Sequence, residues 1–360
     1  MKKIAINGLG RIGKLVFQYL LESEAYKNGE IEIVAINDLT NVSQLAYLLK
    51  YDSTQLSMLQ RGHTIEYKNY VSPQDMGVYP VGGLVVDGKE FPVYAQPDPT
   101  RLPWGLLGVD VVCECTGRFA TIEGASQHLK AGAKHVMVNA PVKGTPNVVY
   151  KINSDTLTGT EDIICGASCT TNCLAPLAKI LDDKFGIVKG LMTTVHSYTA
   201  DQSILDCPHK KGENSRRGRC AGTNIVPATT GAAEAVAKAL PQLKGKLTGM
   251  AMRVPTATGS VVVFDVELKN DEDGALTADK INKVIEREMD NEAISGTWDP
   301  VVSSDIIGCE YGSYVDFLST KTLESEGSTT MAQVVSWYDN EASYTHQYVK
   351  TLTHWIGLMK

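Results

Sequence analysis

The segment Lys3-Ile4-Ala5-Ile6-Asn7-Gly8-Leu9-Gly10-Arg11-Ile12-Gly13 predicts a short buried strand that runs through a glycine-rich turn into a helix. After the turn, apolar side chains recur every three or four residues, as one stripe of a helix does; they are Ile12, Leu15, Val16, Tyr19 and Leu20. The apolar segment 31–36 predicts a second strand, which Asn37 and Asp38 close. Strand, helix and strand in this order predict a parallel pair with a right-handed crossover.

The glycine spacing in this β-α-β unit is typical of dinucleotide binding. Gly8 permits the tight turn, Gly10 lets the backbone approach a pyrophosphate, and Gly13 allows the helix to pack closely on the strand. Backbone N–H groups at the helix start then face the phosphates. Asp38 is placed to accept hydrogen bonds from the adenosine ribose, and its charge repels a 2′-phosphate, which favours NAD over NADP. The alternative interpretation is an ordinary glycine turn.

The composition of the 360-residue chain is that of a soluble globular protein, with 43% hydrophobic and 21% charged residues. Its length predicts two domains, because one core rarely grows beyond about 250–300 residues. No apolar run approaches the roughly 18 residues of a membrane span, and the glycine turn begins too soon for a secretory signal. The net charge of −7 argues against a nucleic-acid scaffold. We therefore expect a cytoplasmic protein.

The eight cysteines are an even number, but they lack the pattern of a disulfide or metal framework. In a chain of this length without a signal, free thiols are expected instead of disulfides. Paired Cys-x-x-Cys clusters do not occur in the sequence, so no metal site is predicted. Most of these cysteines are expected to pack as small hydrophobic side chains.

Further elements follow along the chain. A helix over 123–131 is expected between strands at 109–115 and 135–138. Residues 84–89 predict a hairpin, because Asp87-Gly88 is a turn pair. Beyond about residue 167 the pattern predicts a mixed or antiparallel sheet with strands at 189–195, 249–254 and 260–268. Helices are expected at 170–184, 231–239, 278–289 and 341–357.

Cys169 and His196 are the candidate nucleophile and base. The apolar face of the helix at 170–184 places Cys169 at or just before its N-terminus, where unpaired N–H groups and the helix dipole stabilise a thiolate. Cys173 lies one turn further and is expected to be a core thiol. His196 ends a predicted strand and could form a thiolate–imidazolium couple with Cys169.

A third group of residues suits phosphate, which accepts bidentate arginine and several hydroxyl or N–H donors. Its members are Thr199, Thr230, Gly231, Arg253 and the loop Arg216-Arg217-Gly218-Arg219. The basic run His209-Lys210-Lys211 beside this loop is also compatible with a solvated face or a nucleic-acid patch. No interleaved aromatic residues support base stacking, so nucleic acid is not expected as the main partner.

Taken together, these motifs resemble the glyceraldehyde-3-phosphate dehydrogenase family over residues 3 to about 350. The matching segments keep the family order; they are Asn7-Gly8-Leu9-Gly10-Arg11-Ile12-Gly13, Ile36-Asn37-Asp38, Ser168-Cys169-Thr170-Thr171-Asn172-Cys173-Leu174-Ala175-Pro176, Thr194-Val195-His196-Ser197-Tyr198-Thr199, Gly249-Met250-Ala251-Met252-Arg253-Val254-Pro255-Thr256 and Trp337-Tyr338-Asp339-Asn340-Glu341. The cysteine segment is highly specific, whereas the glycine motif alone is not.

The resemblance implies a fold and a chemistry. The fold is α/β: a Rossmann-type NAD-binding domain with a parallel sheet, at 1–167 and 340–360, and an α+β catalytic domain with a mostly antiparallel mixed sheet, at 168–339. Cys169 attacks the aldehyde of glyceraldehyde 3-phosphate, and His196 activates the thiol. Hydride transfer to NAD leaves a thioester, which inorganic phosphate cleaves to 1,3-bisphosphoglycerate. A homotetramer is also implied.

The resemblance assigns binding roles to further residues. For the substrate phosphate these are Thr199 and Arg253, with Asp201 positioning the arginine. For the attacking phosphate they are Ser168, Thr170, Thr230 and Gly231, with Arg219 reaching into the phosphate region. For NAD they are Arg11 and Ile12 at the pyrophosphate, Gln96 at the adenine side, Asn139, and Asn340 at the nicotinamide amide.

Some positions depart from the family pattern. Ala342 and Ser343 stand where an aromatic residue and a glycine are usual, Pro97 stands where arginine is common, and Asn139 replaces serine or threonine. These changes concern cofactor affinity and leave the thiol chemistry intact. Two alternatives stay open: an erythrose-4-phosphate dehydrogenase, which makes an acid through water, and an NAD-sensing or RNA-binding regulator on the same fold.

Overall fold

The computed structural model describes residues 1–70, 79–209, 212, 215–272, 274–324 and 328–360. The chain forms two compact units. The first comprises Met1–Val148, Ser154–Ala167 and Tyr348–Lys360, and the second comprises Val149–Asn153 and Ser168–Gln347. The domain ranges expected from the sequence stay a prediction; residues 340–347 fall in the second unit here.

Eight strands of the described residues form the sheet of the first unit. They are β1 (Lys2–Asn7), β2 (Ile31–Asn37), β3 (Ile65–Asn69), β4 (Gly82–Val86), β5 (Lys89–Tyr94), β6 (Val111–Glu114), β7 (His135–Val138) and β8 (Ile163–Cys165). Their order is β3-β4-β5-β2-β1-β6-β7-β8. The strands from β5 to β8 in this order run parallel, and the β3-β4-β5 edge is antiparallel. The mainly parallel sheet confirms the Rossmann-type prediction.

The helices of the first unit are α1 (Arg11–Glu22), α2 (Glu24–Lys27), α3 (Val42–Lys50), α4 (Trp104–Leu107) and α5 (Ile122–Lys130). α1 buries the predicted stripe, with Leu15, Val16 and Leu20 almost fully enclosed. This burial holds the helix on the sheet and fixes the glycine turn before it. The sequence did not predict α3, although Asn41 caps it by accepting a hydrogen bond from the backbone N–H of Gln44.

The predicted hairpin at 84–89 is confirmed. β4 and β5 pair antiparallel around Asp87 and Gly88, which both have positive φ angles of 50° and 79°. Two left-handed residues in a two-residue turn match the twist of the strands, which explains the Asp-Gly pair. The basic residues Lys210 and Lys211 lie outside the described residues.

The sheet of the second unit has seven strands among the described residues. They are β9 (Ile187–Ser197), β10 (Val226–Thr229), β11 (Leu247–Val254), β12 (Ser260–Lys269), β13 (Ile294–Thr297), β14 (Ser313–Glu324) and β15 (Thr329–Tyr338). Their order is β10-β11-β9-β12-β15-β14-β13, with parallel pairs only at β11-β9 and β14-β13. This is the mixed, mostly antiparallel sheet that was expected.

The longer helices α6 (Cys169–Phe185), α7 (Ala232–Ala239), α8 (Ala278–Glu288) and α9 (Ala342–Leu358) complete the fold, and α9 ends within the first unit. α6 packs against β9, β12, β14 and β15 and buries Leu174, Leu177 and Leu181. Because α6 and β9 are packed together, the first residue of one and the last residues of the other become neighbours. The sequence placed this helix within one residue of its observed bounds but missed β13, β14 and β15.

Candidate active site and cofactor site

The glycine turn between β1 and α1 has the shape that a dinucleotide requires. Gly8 has φ of +92°, which only glycine adopts without strain. A Cβ on Gly13 would lie 1.9 Å from the Gly8 carbonyl oxygen, so helix and turn touch there. A Cβ on Gly10 would meet nothing within 4 Å, which leaves its backbone open to a ligand. The surroundings of the three glycines therefore differ, and their roles toward a dinucleotide stay a prediction.

Asp38 is anchored directly beside this turn. Its Oδ2 accepts a hydrogen bond of 2.7 Å from the Leu9 N–H, and its Oδ1 accepts one of 2.8 Å from the Thr40 N–H. The carboxylate lines a pocket of about 330 Å³, whose walls are Asn7, Gly8, Gly10, Asn37, Asp38, Leu39, Gln96, Pro97, Cys115, Thr116, Arg118 and Phe119. An acceptor pair fixed at the mouth of a glycine turn fits the ribose hydroxyls of an NAD adenosine.

The first turn of α1 offers backbone N–H groups of Arg11 and Ile12 to a phosphate. The Arg11 guanidinium itself pairs with Asp52 at 2.9 Å and also contacts Thr54. Burial opposes ionisation of Asp52, but Lys14, the Thr54 backbone and Arg11 outweigh it and lower the pKa of this carboxyl. The Arg11 side chain thus stabilises the start of α1. The predicted contact between Arg11 and the pyrophosphate is left to its backbone N–H.

A buried polar network that the sequence analysis missed supports the pocket wall. Glu114, which is fully buried, accepts hydrogen bonds from Asn7 Nδ2 at 2.5 Å and from the Thr116 N–H at 2.8 Å, and lies 3.0 Å from His128 Nε2. Asn7 in turn accepts from Asn37 Nδ2 at 2.7 Å. Because each buried polar atom has partners, the network holds the strand ends rigidly.

The network reaches Gln96 but does not include the side chain of Asn139. Asn37 Oδ1 accepts from the Gln96 N–H at 2.9 Å, and Asn37 Nδ2 donates to the Gln96 carbonyl at 3.0 Å, so Gln96 sits at the predicted adenine side of the pocket. Asn139 follows β7, where its backbone N–H donates to the Glu114 carbonyl at 3.0 Å. Its side chain is partly exposed and does not line this pocket.

Cys169 is the first residue of α6, as predicted. Ser168 caps the helix by accepting a hydrogen bond of 3.2 Å from the Thr171 N–H. The Cys169 Sγ lies 3.4 Å from His196 Nε2, at the end of β9. Nucleophile and base are thus within the reach that proton transfer between them needs.

Contacts at Nδ1 fix the orientation of the His196 ring. Nδ1 lies 2.7 Å from the Ser197 carbonyl, and the tautomer that donates this hydrogen bond leaves Nε2 facing the thiol as an acceptor. Arg253 Nη1 lies 3.0 Å from the same Nδ1 and donates to the Ser197 carbonyl and to Thr199 Oγ1, both at 3.1 Å. Burial and the nearby Arg253 charge lower the pKa of His196 to about 3, so the imidazole is neutral at neutral pH.

The pKa directions of the pair favour its neutral form. Burial raises the pKa of the Cys169 thiol, although the Arg253 charge opposes this. A neutral imidazole facing a thiol is therefore favoured over the expected thiolate–imidazolium couple, which stays a prediction. The physical reasons are burial of the His196 ring and, second, Arg253, because a second positive charge on His196 would lie against this guanidinium. A neutral Nε2 is what a base needs before it accepts the thiol proton.

Cys173 is the buried core thiol that was expected. Its Sγ donates to the Ser336 carbonyl at 3.6 Å, and burial raises its pKa to about 12. Cys169 keeps some exposed surface, whereas Cys173 has none. The two thiols, one helical turn apart, thus have separate roles.

An anion-binding group adjoins His196. Arg253 contacts Thr199, Thr199 contacts Asp201, and Asp201 contacts Arg217. Burial opposes ionisation of Asp201, but Thr199 and Arg217 outweigh it and lower its pKa. Two guanidinium groups and a hydroxyl, oriented by one carboxylate, form a suitable site for a phosphate.

Arg219 lies apart from this group, so the arginine singled out in the loop has to be corrected. Arg219 Nε donates to Asp206 Oδ2 at 2.8 Å, and both side chains are more than half exposed. Arg217 takes the expected place, because its Nη1 pairs with Asp201 and its side chain is largely buried. The sequence contained both arginines, but only the loop backbone decides which one turns inward.

The hydroxyls expected around the attacking phosphate lie at two helix starts. Ser168 and Thr170 flank Cys169, while Thr230 and Gly231 precede α7, where Thr230 Oγ1 accepts from the Ala232 N–H at 3.2 Å. Within the described hydrogen bonds, neither Thr230 nor Gly231 contacts Cys169 or Arg253. Their placement at a helix N-terminus suits an anion.

Tyr338 and Ser260 also support the site, and neither was singled out in the sequence. The Tyr338 hydroxyl bonds to Thr170 Oγ1 at 2.9 Å and to Thr194 Oγ1 at 2.8 Å, and its ring meets His196 edge-on. Ser260 Oγ donates to Asn340 Oδ1 at 3.0 Å. Tyr338 lies within the segment 337–341 that resembles the family, and this motif could have indicated its role in the sequence.

The described residues contain no helix long and apolar enough to cross a membrane, and no group of three or more His, Cys, Asp or Glu side chains placed to hold a metal ion.

Comparison with known proteins gives a consistent result over the whole chain. Residues 2–122 match the family model described as glyceraldehyde 3-phosphate dehydrogenase, NAD binding domain, and residues 168–340 match that of the C-terminal domain. The glyceraldehyde-3-phosphate dehydrogenase of Clostridium pasteurianum is 48% identical over 361 residues, covering all of both chains. Those of Clostridium acetobutylicum and Streptococcus pyogenes are 46% and 47% identical, covering at least 99% of each chain.

Proposed function

Because the chain belongs to the glyceraldehyde-3-phosphate dehydrogenase family, we propose that it converts glyceraldehyde 3-phosphate, NAD and inorganic phosphate into 1,3-bisphosphoglycerate in glycolysis and gluconeogenesis. The observation that carries this function is the 3.4 Å contact between Cys169 Sγ and His196 Nε2, beside the Arg253 anion group. A thiol, a base and a phosphate-binding group next to one another are the parts that phosphorylating oxidation of a phosphorylated aldehyde requires.

Cys169 opens the reaction by attacking the aldehyde carbon. His196 Nε2 accepts the thiol proton as the carbon–sulfur bond forms, and the imidazolium returns this proton to the new alkoxide. The product is a thiohemiacetal on Cys169, and His196 is neutral again. The Cys169 backbone N–H at the start of α6 and His196 stabilise the developing oxyanion.

Oxidation of the thiohemiacetal converts it into a thioester. Bound NAD supplies the hydride acceptor in this step. His196 Nε2 takes the hydroxyl proton, which lets the carbonyl form as the C–H bond breaks. The neutral imidazole that burial and the Arg253 charge favour is therefore ready for the second proton transfer as for the first.

Inorganic phosphate then attacks the thioester carbonyl, forms the acyl phosphate and releases the Cys169 sulfur as the leaving group. We assign the substrate phosphate to Arg253 and Thr199, with Asp201 and Arg217 orienting them. We assign the attacking phosphate to the residues at the starts of α6 and α7, which are Ser168, Thr170, Thr230 and Gly231.

The cofactor site of the first unit fits NAD. Gly8 and Gly13 shape the turn, and Gly10 together with the N–H groups of Arg11 and Ile12 faces the pyrophosphate. Asp38 accepts from the ribose hydroxyls, and Gln96 lies at the adenine side. We assign Asn340 to the nicotinamide amide, and Asn139 to the cofactor side of β7.

A phosphate-dependence assay tests this function. Purified protein is supplied with NAD and glyceraldehyde 3-phosphate, and NADH absorbance is followed with and without inorganic phosphate. We expect sustained turnover only with phosphate, because the thioester is then the species that phosphate cleaves. Equal turnover without phosphate contradicts the proposal and favours hydrolysis of the thioester, as in erythrose-4-phosphate oxidation.

We also propose that the enzyme is a homotetramer in the cytoplasm and that nucleic acid is not its main partner. Support for self-association comes from the second sheet, whose outer face carries Leu191, Met250 and Met331, which are 60%, 38% and 38% exposed. Apolar side chains on one open sheet face are typical of an interface. Light scattering after size-exclusion chromatography tests this, and a monomer at micromolar concentration contradicts it.

A further inference from the structure

We propose that Ser260 is a positioning residue that decides which end of the Asn340 amide meets the nicotinamide. This inference rests on the proposed function, in which Asn340 contacts the carboxamide of bound NAD. Ser260 begins β12 and pairs with Tyr338, the last residue of β15. Its hydroxyl therefore lies next to Asn340, two residues beyond that pairing.

Two hydrogen bonds define the role of the Ser260 hydroxyl. The backbone N–H of Ser197 donates to Ser260 Oγ at 3.0 Å, and Ser260 Oγ donates to Asn340 Oδ1 at 3.0 Å. All three residues are buried, with 0%, 1% and 6% exposure for Ser197, Ser260 and Asn340. A bulk-water partner is therefore not readily available to the hydroxyl between them.

The backbone N–H of Ser197 determines the direction of both hydrogen bonds. A backbone N–H is always a donor, so one lone pair of Ser260 Oγ is occupied and its proton needs an acceptor. Among the described contacts, that acceptor is Asn340 Oδ1. Rotating the amide by 180° would place an NH₂ group there and leave the buried hydroxyl proton without a partner, which is unfavourable for a buried donor. The amide oxygen therefore stays on Ser260.

The neighbouring Thr258 does not compete for this role. Its hydroxyl lies 3.5 Å from Asn340 Oδ1 and donates to the Asp339 carboxylate at 2.8 Å. The turn that carries Ser260 is itself tightly fixed, because Gly259 has φ of +85° and a Cβ on it would lie 2.3 Å from the Ser303 carbonyl. The Gly259 carbonyl accepts a hydrogen bond of 3.0 Å from Ser197 Oγ.

With the oxygen held by Ser260, Asn340 presents its NH₂ group to the ligand. Asn340 Nδ2 has no hydrogen-bond partner within the part of the chain that the structure describes. A fixed donor selects the carboxamide oxygen of the nicotinamide. Ser197 directly follows the base His196 in β9. The Ser260 hydroxyl therefore connects the end of β9, which carries His196, to the Asn340 amide, which orients the nicotinamide ring.

Cofactor analogues test which end of the amide is presented. The 3-acetylpyridine analogue of NAD keeps the carbonyl oxygen but has a methyl group in place of the NH₂. Dissociation constants of NAD and of this analogue are measured by isothermal titration calorimetry for the wild type and for Ser260→Ala. The matched control is Ser295→Ala, which removes a hydrogen bond of the same type, from Ser295 Oγ to Asn291 Oδ1 at 2.9 Å.

We expect Ser260→Ala to weaken the analogue about tenfold and NAD about threefold, because the amide can then rotate and turn its oxygen toward the ligand. NAD can still bond to a rotated amide through its own NH₂, whereas the analogue cannot. The ratio of the analogue's dissociation constant to that of NAD should not change in Ser295→Ala. Equal weakening of both ligands by Ser260→Ala, or no weakening, overturns the proposal and leaves Ser260 a structural residue.

Two further variants keep the test independent of folding and of the overall activity. Ser260→Cys keeps a weak donor and should give an intermediate ratio if Ser260→Ala fails to fold. In an Asn340→Ala background, replacing Ser260 should no longer change the ratio, and a persisting change overturns the inference. If the wild type does not oxidise glyceraldehyde 3-phosphate but the selective loss appears, the proposed function fails and this inference about the amide stands.

Discussion

The phosphate cradle of the first unit is built from main chain, whereas the reaction site of the second unit is built from side chains. The turn from Gly8 to Gly13 forms this cradle from consecutive residues, and the Asp38 carboxylate is anchored beside it. The reaction site instead joins Cys169, His196 and Arg253 from separate elements. Backbone sites depend on space and turn geometry, while side-chain sites depend on single atoms. The two sites should therefore fail in different ways when they are mutated.

The largest effect is expected from exchanging one sulfur for oxygen in the reaction site. Cys169→Ser should lower kcat about 10⁴-fold or more, because a hydroxyl with only a neutral histidine beside it is a poor nucleophile. NAD affinity, measured by fluorescence titration, should stay within about twofold, since the pocket of the first unit lacks this residue.

Cys173→Ser is the matched control, one helical turn away. Its sulfur packs in the core and faces the Ser336 carbonyl, not His196. We expect kcat within about threefold of the wild type and a loss of about 1–2 kcal/mol in unfolding free energy. An active Cys169→Ser together with an inactive Cys173→Ser would reverse the assignment of the nucleophile.

The second effect concerns space in the glycine turn. Gly13→Ala should lower the unfolding free energy by about 3 kcal/mol, or roughly 150-fold in the equilibrium constant, because the new Cβ would lie 1.9 Å from the Gly8 carbonyl. Denaturant titration of the apo protein measures this loss without involving the cofactor.

Gly10→Ala tests the other half of that turn. Nothing lies within 4 Å of a Cβ at Gly10, so the unfolding free energy should change by only about 1 kcal/mol. NAD affinity should nevertheless fall, since the methyl group occupies the approach to the pyrophosphate. If the two alanine variants lost the same stability, Gly13 would have no special packing role.

The third effect separates two arginines of one loop. Arg217→Ala should raise the KM for glyceraldehyde 3-phosphate about 30-fold, because it leaves the partly buried Asp201 carboxylate without its paired guanidinium and misplaces Thr199. Arg219→Ala removes an exposed pair with Asp206 and should change KM by about twofold at most. Steady-state kinetics at fixed phosphate compares them, and a larger effect of Arg219→Ala would restore the original assignment.

The same contrast explains what the sequence could predict. The βαβ unit, the hairpin at Asp87-Gly88 and the start of α6 at Cys169 each follow from a local pattern, and the structure confirms all three. A cap, a turn pair or a helical stripe is settled by neighbouring residues, so no long-range knowledge is needed.

The unpredicted features depend on contacts between distant segments. Whether Arg217 or Arg219 turns inward depends on the path of a whole loop. The low pKa of His196 depends on its burial and on Arg253, 57 residues further along the chain. The buried Glu114 network similarly needs Asn7 beside it, 107 residues away. The expected thiolate–imidazolium couple stays a prediction for this reason: helix position and residue type follow from the sequence, but the burial and the neighbouring guanidinium that favour the neutral pair do not.

The smallest effect concerns Asp38, the carboxylate beside the glycine turn. Asp38→Asn keeps an acceptor for only one of the two N–H groups, those of Leu9 and Thr40, and removes the negative charge. If charge excludes the 2′-phosphate, the ratio of kcat/KM for NADP to that for NAD should rise about tenfold, equivalent to about 1.4 kcal/mol. Asp38→Ala should raise the ratio similarly but also weaken NAD, since both N–H groups lose their acceptor. An unchanged ratio in Asp38→Asn would show that shape, not charge, excludes NADP.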